Sequence, residues 1–307
     1  VPGPTGAHNW HPMAFNPDTG LVYIPVNEIP FFYDKTRNVE DSKSFWNIGY
    51  DAAAGWPVEY PAGTLDAVSD LDGGSLLAWD PVKAEPRWAV PFPLPLNGGV
   101  LSTQAGLVFQ GNKFGEFVAY DAETGERLWA DKLVGNAAAA PMTYEIDGEQ
   151  YLSVLSGWGS VSSLIAGFTY GEAKSKEPAR VITFKLGGVG DMPAALVDNV
   201  VRTPQSPMFG EPDQHQLGMQ RYAESCHFCH GAFAVGGGVV PDLRWSALAG
   251  NEQAWDLVVR EGALEKQGMV SFAGRLSKED TDAIRAYVVQ QAWLAVANGD
   301  ALPPQEG

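Results

Sequence analysis

Val118-Ala119-Tyr120-Asp121-Ala122-Glu123-Thr124-Gly125-Glu126-Arg127-Leu128-Trp129 reads as a strand, a turn and a second strand. Asp121 to Glu126 is the turn, with Gly125 free to take positive φ. Another short apolar run, Gly106-Leu107-Val108-Phe109, lies just before it. The same wording recurs upstream, where Leu77-Ala78-Trp79-Asp80 is followed by Arg87-Trp88. Asp80 to Asp121 and Trp88 to Trp129 are both 41 residues apart. An identical offset for two marker residues defines a repeat. Pro17-Asp18-Thr19-Gly20-Leu21-Val22-Tyr23-Ile24 has a similar turn-then-strand form.

A four-stranded unit of about 40 residues has the size of a propeller blade. Strands are predicted near 21–26, 76–80, 86–90, 100–111, 116–121, 127–133, 141–146, 150–156 and 180–186. These make roughly two to three blades, whereas a closed ring needs about four to eight. The chain is therefore not expected to close a propeller alone. Either an N-terminal propeller part has been removed, or it is supplied as a separate polypeptide. The opening Val1-Pro2-Gly3-Pro4 is neither basic nor followed by an apolar core, and no initiating Met is present. It reads as the start of a mature or internally cut piece.

Composition agrees with short strands and tight turns. The 307 residues include 35 Gly, 22 Pro and 10 Trp, with 45% hydrophobic and 19% charged residues. No apolar run is long enough to predict a transmembrane segment. A net charge of -17 argues against nucleic acid, which selects a basic surface. An acidic surface serves solubility or steers a basic redox partner.

The two cysteines fall in one pentapeptide, Cys226-His227-Phe228-Cys229-His230. This is C-x-x-C-H, the attachment sequence of c-type haem. Two thiols three positions apart on one helical turn can each bond a vinyl group of one porphyrin, and the next His then lies beneath the iron. Zinc would need further Cys or His at metal spacing, and only His8, His11 and His215 remain. A dithiol redox pair would sit in a βαβ context, which is missing. His230 is thus the expected first axial ligand.

Met269, in Gln267-Gly268-Met269-Val270, is the expected second ligand, because thioether opposite imidazole is common in electron-transfer haems. Met208 and Met219 precede the motif and would have to fold back. His227 is expected at the surface. A helix over Asp213–Ser225 delivers the motif. Ser277-Lys278-Glu279-Asp280 is a capping-box start, opening a helix with Ile284, Tyr287, Val288 and Gln291 at helical spacing. Between propeller and haem parts, Gly187 to Glu211 is rich in Gly, Pro and Val and reads as a stiff connector.

Residues 212–300 resemble a small class I cytochrome c. That likeness implies that the Pro241 carbonyl accepts the His230 ring N–H, and that Gly218 and Tyr222 pack on the last helix near Tyr287. Upstream, the turn Asp-Ala-x-Thr-Gly followed by Leu-Trp is the tryptophan-docking wording of the eight-bladed quinoprotein dehydrogenases. Gly6-Ala7-His8-Asn9-Trp10-His11-Pro12-Met13, Asn97-Gly98-Gly99-Val100-Leu101-Ser102-Thr103, and Asp147-Gly148-Glu149-Gln150-Tyr151 leading to Ser156-Gly157-Trp158-Gly159 resemble their haem-bearing subgroup, the quinohaemoprotein alcohol dehydrogenases.

The resemblance implies a multidomain fold: the C-terminal blades of an eight-bladed all-β propeller over 1–188, a linker over 189–211, and an all-α class I cytochrome c domain over 212–307. It implies pyrroloquinoline quinone (PQQ) near the propeller axis. Asn9 would hydrogen-bond the quinone oxygens with Trp10 beside it, and Gly157, Trp158 and Gly159 would line the pocket. A neutral amide is a suitable donor to an oxygen that gains negative charge on reduction. Ser160 departs from the glycine of the pattern. The catalytic base, the quinone-polarising cation and most Ca²⁺ ligands are expected upstream of this chain, so no catalytic residue is assigned within it. Asp66, Asp70 and Asp72 read as a solvated turn.

Asn27 to Asp72 is too long for a blade connection, and its aromatics, Phe32, Trp46 and Trp56 among them, are expected to shape an alcohol channel. The implied activity is oxidation of alcohols, or aldehydes, at PQQ. Electrons would pass to haem c and on to a soluble acceptor such as a cytochrome or blue-copper protein. Covalent haem implies export to a bacterial periplasm. A non-catalytic electron-transfer haem protein on a propeller scaffold is the alternative.

Overall fold

The computed structural model describes residues 3, 5–31, 73–133, 135–157, 179–192, 202–236 and 240–299. They fall into two compact units, with the described residues up to 192 in one and those from 202 in the other.

The first unit consists of antiparallel meanders. β1 (Ala14–Asn16), β2 (Leu21–Asn27), β3 (Gly74–Asp80) and β4 (Glu85–Phe92) pair in chain order. So do β5 (Val100–Ser102), β6 (Leu107–Gly111), β7 (Glu116–Asp121) and β8 (Arg127–Lys132). A third sheet holds β9 (Met142–Ile146), β10 (Glu149–Ser156) and β11 (Arg180–Lys185), with β10 central. The predicted strand over 100–111 is in fact two, because Thr103 to Gly106 turns the chain back and Gly106 takes a φ of +76°. Strand β1, only three residues long, has no counterpart among the predicted strands.

Alternation builds the cores between sheets. Leu21 and Tyr23 on β2, Leu76 and Ala78 on β3, and Val108, Val118 and Tyr120 on the second sheet form one buried cluster. Phe109, Phe117 and Leu133 meet Val154, Leu152, Ile182 and Phe184 in the next. Each sheet therefore packs face to face on its successor, as blades do.

The repeat has a direct physical meaning. Asp121 Oδ1 accepts from the backbone N–H groups of Glu123 and Thr124, and Asp80 Oδ1 accepts from those of Val82 and Lys83. Gly125 takes a φ of +75°, and a Cβ there would fall 2.7 Å from the Trp88 ring. Trp88 Nε1 donates to the Ala122 carbonyl at 3.1 Å, and Tyr23 Oη donates to the same oxygen at 2.9 Å. The turn of the second sheet is thus the seat for the tryptophan of the first.

In the second unit, α1 (Pro212–Ser225) starts on a proline, whose missing N–H costs nothing in a first turn. A four-residue helix α2 (His227–His230) continues it. Then come α3 (Glu252–Val259) and α4 (Lys278–Ala297). The predicted capping box forms: Ser277 accepts from Asp280 N, and Asp280 accepts from Ser277 N. Helices α1 and α4 touch backbone to backbone at Gly218, where a Cβ would lie 2.0 Å from the Ala283 carbonyl oxygen. Tyr222 packs on Tyr287 with ring centroids 5.4 Å apart. No helix among the described residues is long and apolar enough to cross a membrane.

Candidate functional site

The haem motif is held on one helical turn by the end of α1. Cys226 N donates to Tyr222 O at 2.8 Å, and Cys229 N and His230 N both donate to Cys226 O, at 3.2 and 3.0 Å. Gly231, with a φ of 77°, then turns the chain away. Its carbonyl accepts from Tyr222 Oη at 2.8 Å, which ties the motif to the helix core. Both thiols are free; Cys226 is buried and Cys229 exposed. Burial pushes the Cys226 thiol up to about 12.

His230 Nδ1 lies 3.0 Å from the Pro241 carbonyl oxygen. A carbonyl can only accept, so Nδ1 carries the proton and Nε2 keeps its lone pair for a metal. Burial lowers the His230 pKa, against the Pro241 hydrogen bond and the Asp242 charge, so the ring is neutral as ligation requires. The turn after Pro241 fixes it in place. Asp242 caps the turn Leu243–Trp245 and holds Arg244 in a two-bond pair at 3.0 and 2.7 Å.

Met269 follows Gly268, whose φ is 96°, and its N–H donates to Leu264 O at 3.2 Å. Its side chain packs on the apolar cluster that contains Tyr222, Cys226, Phe272 and Tyr287. Met219 from α1 packs on the same cluster, whereas Met208 is exposed. The donor set (neutral imidazole, two thiols on one turn, thioethers in an apolar core) fits a covalently attached haem.

His227 corrects an expectation. It is buried rather than at the surface, with only 7% of its area accessible. Its Nδ1 folds back onto the Ala223 carbonyl four residues earlier, and burial depresses its pKa to about 4. The i to i+4 spacing is visible in the sequence; the closed environment is not.

On the propeller side, Asn9 Nδ2 donates to Thr5 O at 2.8 Å and Asn9 Oδ1 accepts from Trp10 N at 2.9 Å. The amide is exposed and keeps its second N–H available. Trp10 is half exposed and stacks on His11 at 4.2 Å. His11, which sequence reasoning does not single out, is buried to 2% accessibility. Its pKa falls to about 4 through burial first, then the charges of His8 and Lys113.

Gly157 N donates to Asn136 O at 3.0 Å, and a Cβ on neighbouring Gly135 would sit 2.4 Å from Gly157 O. Asn9 and Gly157 share no hydrogen bond. Trp158, Gly159 and Ser160 lie outside the described residues, as do Asp66, Asp70, Asp72, Phe32, Trp46 and Trp56. Among the described residues no group of three or more His, Cys, Asp or Glu is arranged for a metal ion. The exposed amide and indole of Asn9-Trp10 are compatible with one rim of a planar, oxygen-bearing cofactor.

Asn97-Gly98-Gly99 has a packing role. Asn97 Nδ2 donates to Leu94 O at 2.7 Å, and a Cβ on Gly98 would meet Ala137 O at 2.4 Å. Only glycine lets these chain segments approach so closely.

Comparison with known proteins agrees with both halves. Residues 1–152 match the family described as glucose/ethanol/alcohol dehydrogenase, β-propeller domain, and residues 213–288 match cytochrome c oxidase, cbb3-type, subunit III. The chain is 41% identical over 295 residues to quinohaemoprotein alcohol dehydrogenase ADH IIB of Pseudomonas putida, covering 95% of this chain and 41% of that protein. It is 37% identical to quinohaemoprotein alcohol dehydrogenase of Comamonas testosteroni, covering 94% of this chain and 40% of that one. The solved structure of ADHIIG from Pseudomonas putida HK5 superposes with a TM-score of 0.75 at 34% identity, covering 98% of this chain and 43% of the other. The Comamonas testosteroni structure gives a TM-score of 0.72 at 35% identity, covering 96% and 42%. The chain thus spans about two-fifths of the length of the relatives it matches. The cofactors that go with this pair of domains are PQQ and haem c.

Proposed function

Because the chain belongs to the quinohaemoprotein alcohol dehydrogenase family, we propose that it carries the electron-outlet part of a periplasmic enzyme that oxidises alcohols, or aldehydes, to carbonyl products. The observation that carries this is His230: its neutral ring is oriented by Pro241 so that Nε2 is free, next to two thiols on one turn, in a chain that also contains quinoprotein blades. PQQ would supply two-electron oxidation of the substrate and haem c one-electron transfer to an acceptor.

The chain's own residues have more limited tasks. Cys226 and Cys229 would anchor the haem, His230 and Met269 would ligate its iron, and Pro241 holds the proton on His230 Nδ1. Asn9 would donate to a quinone oxygen with Trp10 beside it, and Gly157, Trp158 and Gly159 would border the same cofactor. Residues 1–188 act as blades, 189–211 as linker and 212–307 as cytochrome domain. The catalytic base and most Ca²⁺ ligands are assigned to polypeptide outside this chain. The acceptor is a soluble cytochrome or blue-copper protein.

Further propeller blades complete the assembly. Two features support this reading. Among the described residues the third sheet has three strands where the other two have four. Its outer face also leaves Met142, Ile146, Leu155 and Val181 about half exposed or more, an apolar area that a monomer rarely leaves open.

The test uses this chain together with its remaining propeller blades, loaded with PQQ and Ca²⁺. Adding a primary alcohol without any other acceptor should turn its haem ferrous, one electron reaching the haem while the quinone keeps the rest. Alcohol oxidation with the haem still ferric would sink the scheme. A haem that never responds to alcohol, in a protein with no bound quinone, would favour the non-catalytic electron carrier.

A second expected outcome concerns the axial thioether. Met269→Ala should remove the far-red sulfur-to-iron band of the ferric haem and open the iron to added imidazole, while Met219→Leu leaves the band intact. The reverse pattern would transfer the ligand role to Met219.

A further inference from the structure

We propose that the Asp242–Arg244 ion pair sets the reduction potential of the haem, its carboxylate acting on the iron through His230 and its guanidinium holding that effect in check. Asp242 shares a peptide unit with Pro241, whose carbonyl oxygen lies 3.0 Å from His230 Nδ1. The loop after the haem motif closes on that peptide, since a Cβ on Gly236 would fall 2.6 Å from Asp242 N. The Asp242 charge acts on the His230 ring, in the opposite sense to burial. Arg244 Nε and Nη2 donate to Asp242 Oδ1 and Oδ2 at 3.0 and 2.7 Å, and the guanidinium lies 5.0 Å from the centre of the Trp245 ring. Both side chains are mostly out of water, with 23% of Asp242 and 15% of Arg244 accessible.

Capping explains only part of Asp242. The turn Leu243–Trp245 needs one acceptor, and Oδ1 supplies it to Arg244 N at 3.1 Å. Ser246 does the same for the next turn through Leu248 N, and Asn251 for α3 through Ala254 N. Both of those caps are uncharged. Of these three consecutive starts, the charged cap is the one beside the iron ligand. Asn or Ser caps a turn about as well as Asp, so the charge is what capping leaves over.

Ferric haem takes up one electron on reduction, so the charge of the iron–porphyrin falls by one unit. A fixed negative charge nearby favours the more positive, oxidised form. A carboxylate behind the ligand ring also draws on the Nδ1 proton and makes Nε2 a stronger donor, which acts in the same direction. Arg244 offsets part of that charge, and the shelter of the pair limits screening by salt. The potential thus depends on the balance of two opposite charges fixed to the peptide that orients the axial histidine. Only covalent haem is required; alcohol oxidation is not.

The experiment is a potentiometric titration of the full chain with haem attached, read from the ferrous absorption bands. Asp242→Asn keeps the cap but removes the charge, so the ferrous-to-ferric ratio at the wild-type midpoint should rise roughly three- to tenfold. Arg244→Gln removes the positive half of the pair, and the ratio should fall. Glu252→Gln takes an equal charge from an exposed pair with Lys278, where water and salt screen it, and the ratio should stay in place. Shifts of one sign in the first two variants, no shift in Asp242→Asn, or an equal shift from Glu252→Gln overturns the proposal. The ferric spectrum of Asp242→Asn should match the wild type; altered ligand bands would mean that Asp242 only shapes the haem loop, and would overturn the proposal too. If Arg244→Gln does not fold, Asp242→Ser replaces it. Serine keeps a neutral cap with different packing, so its rise should equal that of Asp242→Asn, and an unequal or absent rise overturns the proposal. A wild-type chain without covalent haem would overturn the haem reading and this inference together, whereas attached haem indifferent to Asp242 would overturn this inference alone.

Discussion

Changing Cys226 and Cys229 together to serine leaves a chain that carries no haem after denaturing electrophoresis, where the parent chain stains for haem peroxidase activity. Each thiol attaches one vinyl group, so each single variant keeps a bond and the double variant keeps none. The loss should be essentially complete. The core adds a second consequence. Cys226 is part of a buried cluster of the second unit, with Tyr222, Trp255, Ile284 and Tyr287. A covalent porphyrin stays on the unfolded chain, but its apolar faces are buried only in the native state, and removing it withdraws that burial from stability. The double variant should therefore also unfold at lower temperature and denaturant. Haem remaining on the double serine variant after denaturation would remove these cysteines from the attachment role.

Gly218→Ala should destabilise the second unit by about 2 kcal/mol, on the order of 10 °C in Tm for a unit of this size. The new methyl would sit 2.0 Å from the Ala283 carbonyl oxygen and 2.8 Å from Tyr287 Cβ. Those atoms belong to backbone and to the stem of a packed ring, so neither can swing aside, and α1 must move off α4. Alanine's better helix propensity returns about 1 kcal/mol, which keeps the net cost at the middle of the overpacking range. Gly274→Ala is the control, since nothing lies within 4 Å of a Cβ there. Denaturant titrations of the haem-loaded chain compare the two. Equal midpoints would mean that the helices are not in backbone contact.

How far the sequence can be read depends on the range of each interaction. The turn from Asp121 to Gly125 is legible because one carboxylate serves two backbone N–H groups within three residues. The haem pentapeptide is legible because one porphyrin demands two thiols and an imidazole at fixed local spacing. The start of α4 is legible for the same reason, its cap being closed over three residues. Residues 100–111 read as one continuous strand because apolar residues lie on both sides of a four-residue turn.

Local chemistry alone thus specified the blade repeat, the haem anchor and the helix starts, since each is satisfied by neighbours within a few residues. The fold had to supply whatever depends on partners far along the chain. Trp88 finds the Ala122 carbonyl across 34 residues, and Arg221 finds Asp280 across 59. The burial of His11, His227 and Glu224 belongs to the same group. A side chain's solvation and charge depend on everything packed around it, and a linear pattern of residue types does not encode that enclosure.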